Sequence, residues 1–272
     1  MEKYSVLMSI YFREKPEYLK ASAMSMLNQT VPPEEFVIVC DGPLTEELEA
    51  VLAQLVADYP EIMHIHRLPE NVGIGAAANA GLQVCRNELI AKMDADDISV
   101  PNRCQMQLAR FAQKPELAII GGNIDEFSTD PEHPDTRREV PARYEDLLRF
   151  ARRRQPFNNM TVMYKKSVVL AVGGYRNFRR SEDYDLYARL LHSGYYAENL
   201  SEVVVKARVN ADAQARRASF GTFRGCVHSR WSAYKMGFIS LGDWAYCSLG
   251  ALVLWLVPPG MQRWIYSKFL RS

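Results

Sequence analysis

The chain has 272 residues, 48% hydrophobic and 24% charged, and 33 Lys plus Arg against 32 Asp plus Glu leave a formal net charge of +1. These values fit one large domain, or a domain with an appendage, and exclude a disordered or collagen-like chain. A near-neutral chain is also not built to wrap nucleic acid, so nucleic acid is set aside as a partner. Five scattered cysteines, with no C-x-x-C pair, speak against a zinc ribbon or a disulfide framework and for a reducing compartment. The apolar start after Met1-Glu2-Lys3 is too short and mixed for a signal peptide, and no apolar run reaches the ~18 residues of a membrane span.

The first half alternates strand and helix signals. Residues 4–11 (YSVLMSIY) read as a buried strand, and Pro16 suits the first turn of a helix that continues through residues 18–29. Residues 35–40 (EFVIVC) form a second strand, closed by the turn Asp41-Gly42-Pro43. Thr45 is a candidate N-cap, and Leu48, Val51, Leu52, Leu55 and Val56 follow with helical spacing. A third strand is expected over 62–68, a helix over 74–84 and a fourth strand over 89–93. Another helix follows Pro101, and 117–120 reads as a fifth strand ending at Gly121-Gly122. Residues 128–141, rich in Pro, Asp and charge, read as an exposed loop. Beyond it, strands are expected over 161–164 and 202–209 and a helix over 182–191. Strands separated by helices call for parallel pairing with right-handed crossovers, an α/β fold.

Four motifs carry chemistry. In Lys92-Met93-Asp94-Ala95-Asp96-Asp97, a buried strand ends in carboxylates. Residues i and i+2 of extended chain share a side, so Asp94 and Asp96 are read as convergent, with no neutralising base beside them. Open parallel sheets bind ligands at the carboxyl ends of their strands, and such a pair suits a hard cation, Mn2+ or Mg2+. The alternative is a solvated turn in which Asp97 or Ser99 caps the next helix. Asp41 ends another strand and is either a nucleoside ligand or turn chemistry. Gly73-x-Gly75 with Ala76–Ala78 nearly matches the dinucleotide fingerprint, which raises an NAD(P)-type oxidoreductase; the intervening residues 68–71 and its place in the third βα unit speak against that. Ser181-Glu182-Asp183 is a helix start or a general-base site. Arg137-Arg138, Arg152 to Arg154 and Arg216-Arg217 are phosphate-binding chemistry or solvated surface. His64 and His66 share a strand face without metal-ligand partners and are read as structural.

Taken in order, these motifs make the chain resemble the family-2 glycosyltransferases of GT-A fold, in particular bacterial enzymes building capsule, O-antigen or exopolysaccharide. The matching elements are residues 5–11, Ser25 to Thr30, Val37 to Gly42, Asn71-Val72-Gly73 with Asn79-Ala80-Gly81, Met93 to Asp97 with Pro101, Gly173-Gly174-Tyr175, and Glu182 to Leu186. The likeness covers roughly residues 4–210. It implies a nucleotide-binding mixed sheet flanked by helices. Its domain would span 1–212, with a nucleotide-binding half to about 125 and an acceptor half over 126–212, followed by a helical extension over 213–272. It also implies that Asp41 and Asp94 contact the nucleoside of a UDP-sugar, with Ser9, Tyr11 and Asn71 as further nucleotide-site residues. Asp96, with Asp94, would bind the Mn2+ or Mg2+ that bridges the diphosphate. Asp183, in its pair with Glu182, would be the catalytic base. One departure is Asn158-Asn159 where relatives often carry His-Pro, so no contact of that histidine is carried over.

The expected chemistry is a single inverting displacement. Metal neutralises the leaving diphosphate and Asp183 takes the proton of the attacking hydroxyl. A sugar nucleotidyltransferase is a second alternative beside the oxidoreductase. Residues 244–257 are apolar but too short to span, and Pro258-Pro259-Gly260 breaks them. Met261, Trp264, Ile265 and Phe269 then share a helical face beside Arg263, Lys268 and Arg271, which suits a lipid interface. The expected location is cytoplasmic, peripheral to the inner face of the cytoplasmic membrane, with a lipid-linked glycan as acceptor. Packing of the tail on its own domain, or on a second copy in a homodimer, is the alternative.

Overall fold

The structure, a computed structural model, describes residues 2–178, 180–209 and 219–257. Its first half is a run of βα units: β1 (Tyr4–Ile10), α1 (Pro16–Leu27), β2 (Glu35–Cys40), α2 (Glu46–Asp58), β3 (Met63–Arg67), α3 (Ile74–Val84) and β4 (Leu89–Asp94). The two-residue β5 (Ile98–Ser99), α4 (Arg103–Gln113), β6 (Leu117–Phe127), β7 (Thr136–Arg138) and α5 (Tyr144–Ala151) follow. A 3₁₀ turn (Asn159–Thr161) leads to β8 (Met163–Lys165), α6 (Lys166–Ala171), α7 (Glu182–His192) and β9 (Tyr196–Arg208). The chain then forms two antiparallel-connected helices, α8 (Phe220–Lys235) and α9 (Leu241–Leu256).

Among the described residues one sheet holds nine strands in the order β3-β2-β1-β4-β8-β6-β9-β5, with β7 paired to β6. β1 to β4 pair in parallel, as alternating strands and helices demand. β4–β8, β8–β6 and β9–β5 are antiparallel, and β6–β9 is parallel, so the sheet is mixed. Two apolar cores cover its faces. One packs α1, α2 and α4 over Val6, Met8 and Ile38; the other packs α3 and α7 over Leu7, Val37 and Val39. The alternation of these residues along β1 and β2 is the two-residue period of a strand buried on both sides.

Local signals set several boundaries. Thr45 caps α2 by accepting from Leu48 N at 3.4 Å, and Leu48, Leu52 and Leu55 are buried, although Val56 is turned outward. The small residues of α3 let it lie close on the sheet: a Cβ at Gly81 would come within 2.3 Å of Leu7 Cδ1 and 2.8 Å of Val39 Cγ2.

Beyond β4 the chain departs from expectation in five places. β6 runs straight through Gly121-Gly122 to Phe127. Those glycines are there because β9 presses against them: a Cβ at Gly121 would meet Asn199 Oδ1 at 2.4 Å and one at Gly122 would meet Val204 Cγ2 at 2.7 Å. The expected loop over 128–141 folds back as β7, where Arg137 pairs with Asp125. The strand expected over 161–164 is the 3₁₀ turn followed by β8, and the one over 202–209 begins six residues earlier, at Tyr196. Neither Asp97 nor Ser99 caps α4; Gln29 does, its Oε1 accepting from Cys104 N at 3.0 Å.

Candidate active site

The site forms where β1, β2 and β4 end together. Ser9 sits between Val39 and Asp94 in the register, so the residues ending these strands share one edge. Ser9 Oγ is buried there without a hydrogen-bond partner among the described residues. Tyr11 follows, half-buried, its ring edge-on to Phe12. Asp41 is buried, and both its oxygens are occupied by main chain: Oδ1 accepts from Val72 N at 2.7 Å and Oδ2 from Gly73 N at 3.1 Å. Asn71, exposed, donates from Nδ2 to the Asp41 carbonyl at 3.1 Å. Asp41 thus folds the 71–73 loop against the strand ends. Gly42, at φ +87, permits that approach, since a Cβ there would lie 2.8 Å from Asn71 N.

Asp94 is the last residue of β4, but Asp96 is not extended; it lies in the turn from Asp94 to Asp97. Strand alternation therefore does not set the side on which Asp96 lies, and a base does stand beside the pair. The buried Lys92 places Nζ 3.6 Å from Asp94 Oδ1. Asp97 is buried and accepts from Arg208 N at 2.7 Å, which ties the turn to the end of β9. Burial and the neighbouring Asp96 and Asp94 push the Asp97 carboxyl well above the usual range.

The second carboxylate pair starts α7. Ser181, the only non-glycine with positive φ among the described residues, stands at φ 68 and gives no side-chain cap. The motif therefore does not begin with the expected serine cap. The backbone is bent there because α8 packs beneath it: a Cβ at Gly225 would meet Arg180 O at 2.5 Å. Glu182 is 9% exposed, lies against Gly75, and keeps Oε2 buried without a partner among the described residues. Desolvation, then the charge of Asp183, raises it to about 7. Asp183 accepts from Gln155 Nε2 at 2.6 Å and from Tyr184 N at 2.7 Å. Burial raises its pKa too, with Asp94 adding repulsion and Arg138 opposing it. Asp94 and the Glu182–Asp183 pair thus face one another across a single electrostatic site.

Asp94 and Asp96 offer hard oxygen ligands, and among the described residues no cluster of three or more His, Cys, Asp or Glu could hold a metal by itself. That donor set does not fit a structural zinc. It fits a cation that completes its shell with phosphate oxygens and water, as Mg2+ characteristically does.

Several residues that the sequence left unassigned build this site. Ser22 Oγ donates to Asp94 O at 2.8 Å, Ser25 Oγ accepts from Ser99 N at 3.0 Å, and Thr30 N donates to Pro101 O at 2.8 Å. The helix α1 motif thus clasps the chain on both sides of the acidic turn. Asn79 pairs its amide with Tyr175, receiving from its N at 2.8 Å and donating to its O at 2.7 Å. Asp185 binds Arg189 at 2.8 Å, and Arg189 donates to Gly174 O at 2.7 Å. The Asn79, Gly174 and Asp185 motifs are therefore one device that fixes the approach to α7. Arg103, fully buried, donates to Lys92 O at 2.7 Å. Asn158 accepts from Arg138 and donates to Gly122 O at 2.9 Å, while Asn159 accepts from Tyr187 Oη at 2.8 Å. The signal for Asn79 and Asp185 was present as spacing; that for Arg103 was not, because a charged residue in an amphipathic helix reads as surface.

Asp183 also lines a cleft of about 1070 Å³ bounded by β7, the end of α5, α8 and α9. Arg216-Arg217 and the tail residues from 258 onward lie outside the described residues.

Residues 5–183 match the family model described as Glycosyl transferase family 2. Among curated relatives, an uncharacterized glycosyltransferase of Haemophilus influenzae is 35% identical over 99% of this chain and 100% of its own length. An Escherichia coli UDP-Gal:alpha-D-GlcNAc-diphosphoundecaprenol beta-1,3-galactosyltransferase is 30% identical over 99% of this chain and 97% of its own. The amylovoran biosynthesis glycosyltransferase AmsE of Erwinia amylovora is 37% identical over 82% and 83%. Among solved structures, the mannosyltransferase PcManGT from Pyrobaculum calidifontis, in complex with GDP-Man and Mn2+, matches with TM-score 0.66 at 15% identity, covering 98% of this chain and 80% of that one. S. aureus TarS 1-349 matches with TM-score 0.64 at 18% identity, covering 98% and 72%. The structural likenesses show the GT-A-type fold.

Proposed function

The chain belongs to glycosyltransferase family 2, and from that premise we propose that it transfers a sugar from a UDP-sugar, with inversion, to a hydroxyl of a lipid-diphosphate-linked glycan in bacterial surface polysaccharide synthesis. The observation that carries this reading is the position of Asp183. It lies within electrostatic reach of Asp94, at the carboxyl end of β4, and lines a large cleft. A hydroxyl entering the cleft meets the base there. The E. coli relative supplies the donor and acceptor class by its name, and AmsE supplies the setting.

The residues divide the work. Asp41, with Asn71, holds the loop that closes the nucleotide edge, and Ser9 and Tyr11 border it. Asp94 and Asp96 would hold the divalent cation. When bound, that ion neutralises charge on the leaving diphosphate. Gln155 and the Tyr184 amide orient the Asp183 carboxylate, whose remaining lone pairs accept the hydroxyl proton. Glu182, raised to about 7, holds a proton when Asp183 is charged, so the two need not repel at the moment of attack. A single displacement needs no nucleophilic carboxylate.

Location follows from the helical pair. No described helix is long and apolar enough to cross a membrane. α9 nevertheless exposes Leu241, Tyr246, Leu249, Val253 and Leu256, and its apolar surface suits contact with the cytoplasmic membrane face, where a lipid-linked acceptor sits. Covering of this face by a second copy is the competing arrangement.

The test is a panel of UDP-sugars with a synthetic lipid-diphosphate-linked glycan, in Mn2+, in Mg2+ and in EDTA. Metal-dependent transfer with a changed anomeric configuration is expected. Transfer undiminished in excess EDTA, or a product of retained configuration, overturns the mechanism. Flotation of the full chain with anionic liposomes tests the location; a chain that stays at the bottom of the gradient as a dimer supports the competing arrangement.

A further inference from the structure

The cleft beside Asp183 is lined by three kinds of group: Gln155, which donates to Asp183; the cations Arg138, Arg153 and Arg230; and the apolar Phe223, Leu249 and Trp255 of α8 and α9. Its size lies just above that of pockets that enclose drug-sized ligands, roughly 300–1,000 Å³, and exceeds what one sugar ring fills. Among the described residues five arginines line it against three carboxylates, Asp183 included.

The cations are held in place. Arg138 donates to Asn158 and to Gln155 O at 3.0 Å. Arg153 is bound by Asp243 at 2.6 Å, with its guanidinium 4.9 Å from the centre of the Tyr246 ring. Arg230 lies 4.2 Å from the centre of the Tyr184 ring, and its buried Nε has no hydrogen-bond partner among the described residues. Gln155 Oε1 is buried and partnerless as well. Buried polar atoms of this kind are costly unless something satisfies them. Beyond the cations, the Phe223 and Trp255 rings stack at 5.7 Å and Leu249 is open to the cleft.

We infer that this cleft is the acceptor's anchoring site, in which Arg230, Arg153 and Arg138 take the diphosphate and the α8–α9 wall takes the first isoprenoid units of the lipid. The inference rests on the reading above and adds to it a place and a set of residues. Its warrant is that one cleft holds a base, cations and an apolar wall, which match the hydroxyl, the diphosphate and the hydrocarbon of such an acceptor. Planar guanidiniums suit phosphate oxygens, and stacked aromatic and aliphatic side chains suit a prenyl chain. The helical extension is then part of the acceptor site.

The probe is farnesyl diphosphate, compared with farnesyl monophosphate and inorganic pyrophosphate, titrated calorimetrically into the full chain with and without saturating UDP. Farnesyl diphosphate should bind at least tenfold tighter than either comparison ligand, and UDP should not displace it. Arg230→Gln should cost at least tenfold in farnesyl diphosphate affinity while UDP affinity stays within twofold. Leu249→Asp should remove the advantage of farnesyl diphosphate over pyrophosphate. If Arg230→Gln also lowers UDP affinity, its fold is compromised, and Leu249→Asp, at a position 61% exposed, decides the matter. No farnesyl diphosphate binding by a chain that binds UDP overturns the inference and leaves the donor reading standing. Binding displaced by UDP and indifferent to both variants places the probe in the nucleotide site and also overturns it. Failure to bind UDP at all would instead strike the proposed function.

Discussion

The Asp41 loop at the strand edge of β1, β2 and β4 and the cleft beside α7 handle polar groups in different ways, although Ser9 Oγ at that edge is also buried without a partner among the described residues. At the strand edge, main chain satisfies the key carboxylate: both Asp41 oxygens hold backbone N–H groups, and α1 clasps both sides of the acidic turn. Beside α7, Glu182 Oε2, Gln155 Oε1 and Arg230 Nε are buried without partners among the described residues. The first region is pre-organised by its own backbone. The second keeps unsatisfied groups at their cost, roughly 1–3 kcal/mol each, which a ligand can repay.

Asp183→Asn should separate the two regions most strongly. Turnover should fall ~10²–10⁴-fold while UDP affinity stays near wild type, because on the proposed reading Asp183 takes the acceptor's proton and does not hold the nucleotide. Normal turnover would reduce the carboxylate to a helix-start feature. Asp96→Asn acts on the strand side. Loss of a charged ligand should lower transfer by about 10²–10³-fold, several kcal/mol in the barrier, and calorimetry should find that Mn2+ no longer enhances UDP binding. An unchanged Mn2+ effect would remove Asp96 from the metal site.

Asp41→Ala should do two things at once. It strands the Val72 and Gly73 amides, so stability should fall by roughly 1–3 kcal/mol, read as a Tm drop of several degrees, and UDP should bind more weakly. A lower Tm with unchanged UDP affinity would make Asp41 a brace for the loop and no more.

The pH dependence sharpens the cleft side. Glu182 titrates at about 7 in the folded chain against an ordinary 4.5. Its folded pKa is raised, so the stability it contributes is present below about 4.5 and is lost as pH rises to about 7. Glu182→Gln should flatten the fall in Tm between pH 4.5 and 7 and shift the acid limb of the transfer rate, whose midpoint in the wild type belongs to the Glu182–Asp183 pair. Superimposable profiles would show that Glu182 does not share the proton.

The smallest effect is expected at Gly225, which is packed against Arg180 and is not among the residues lining the cleft. Gly225→Val overpacks the Arg180 carbonyl, 2.5 Å from where the new Cβ would sit, and should cost about 1–3 kcal/mol. It should lower turnover modestly and spare UDP binding. Weakened UDP binding would mean that the extension supports the whole fold and not the start of α7 in particular.

The sequence alone determined the βα half closely. Residues 35–40 and 74–84 were read to the residue, because continuous apolar strands, an N-cap threonine and small-residue helices are local signals. It also brought out Asp41, Asp94, Asp96, Glu182 and Asp183 as a set, since motif order survives in one dimension. What it could not determine depends on neighbours far along the chain. Gly121-Gly122 read as a stop, yet the strand passes through because β9 lies against them. Lys92 read as no partner at all, yet the fold sets it 3.6 Å from Asp94. Ser181 read as an ordinary cap, yet α8 holds its backbone in a left-handed bend. In each case the local pattern was true of the isolated segment, and the outcome was decided by contacts across tens of residues, which only the packed chain brings within reach.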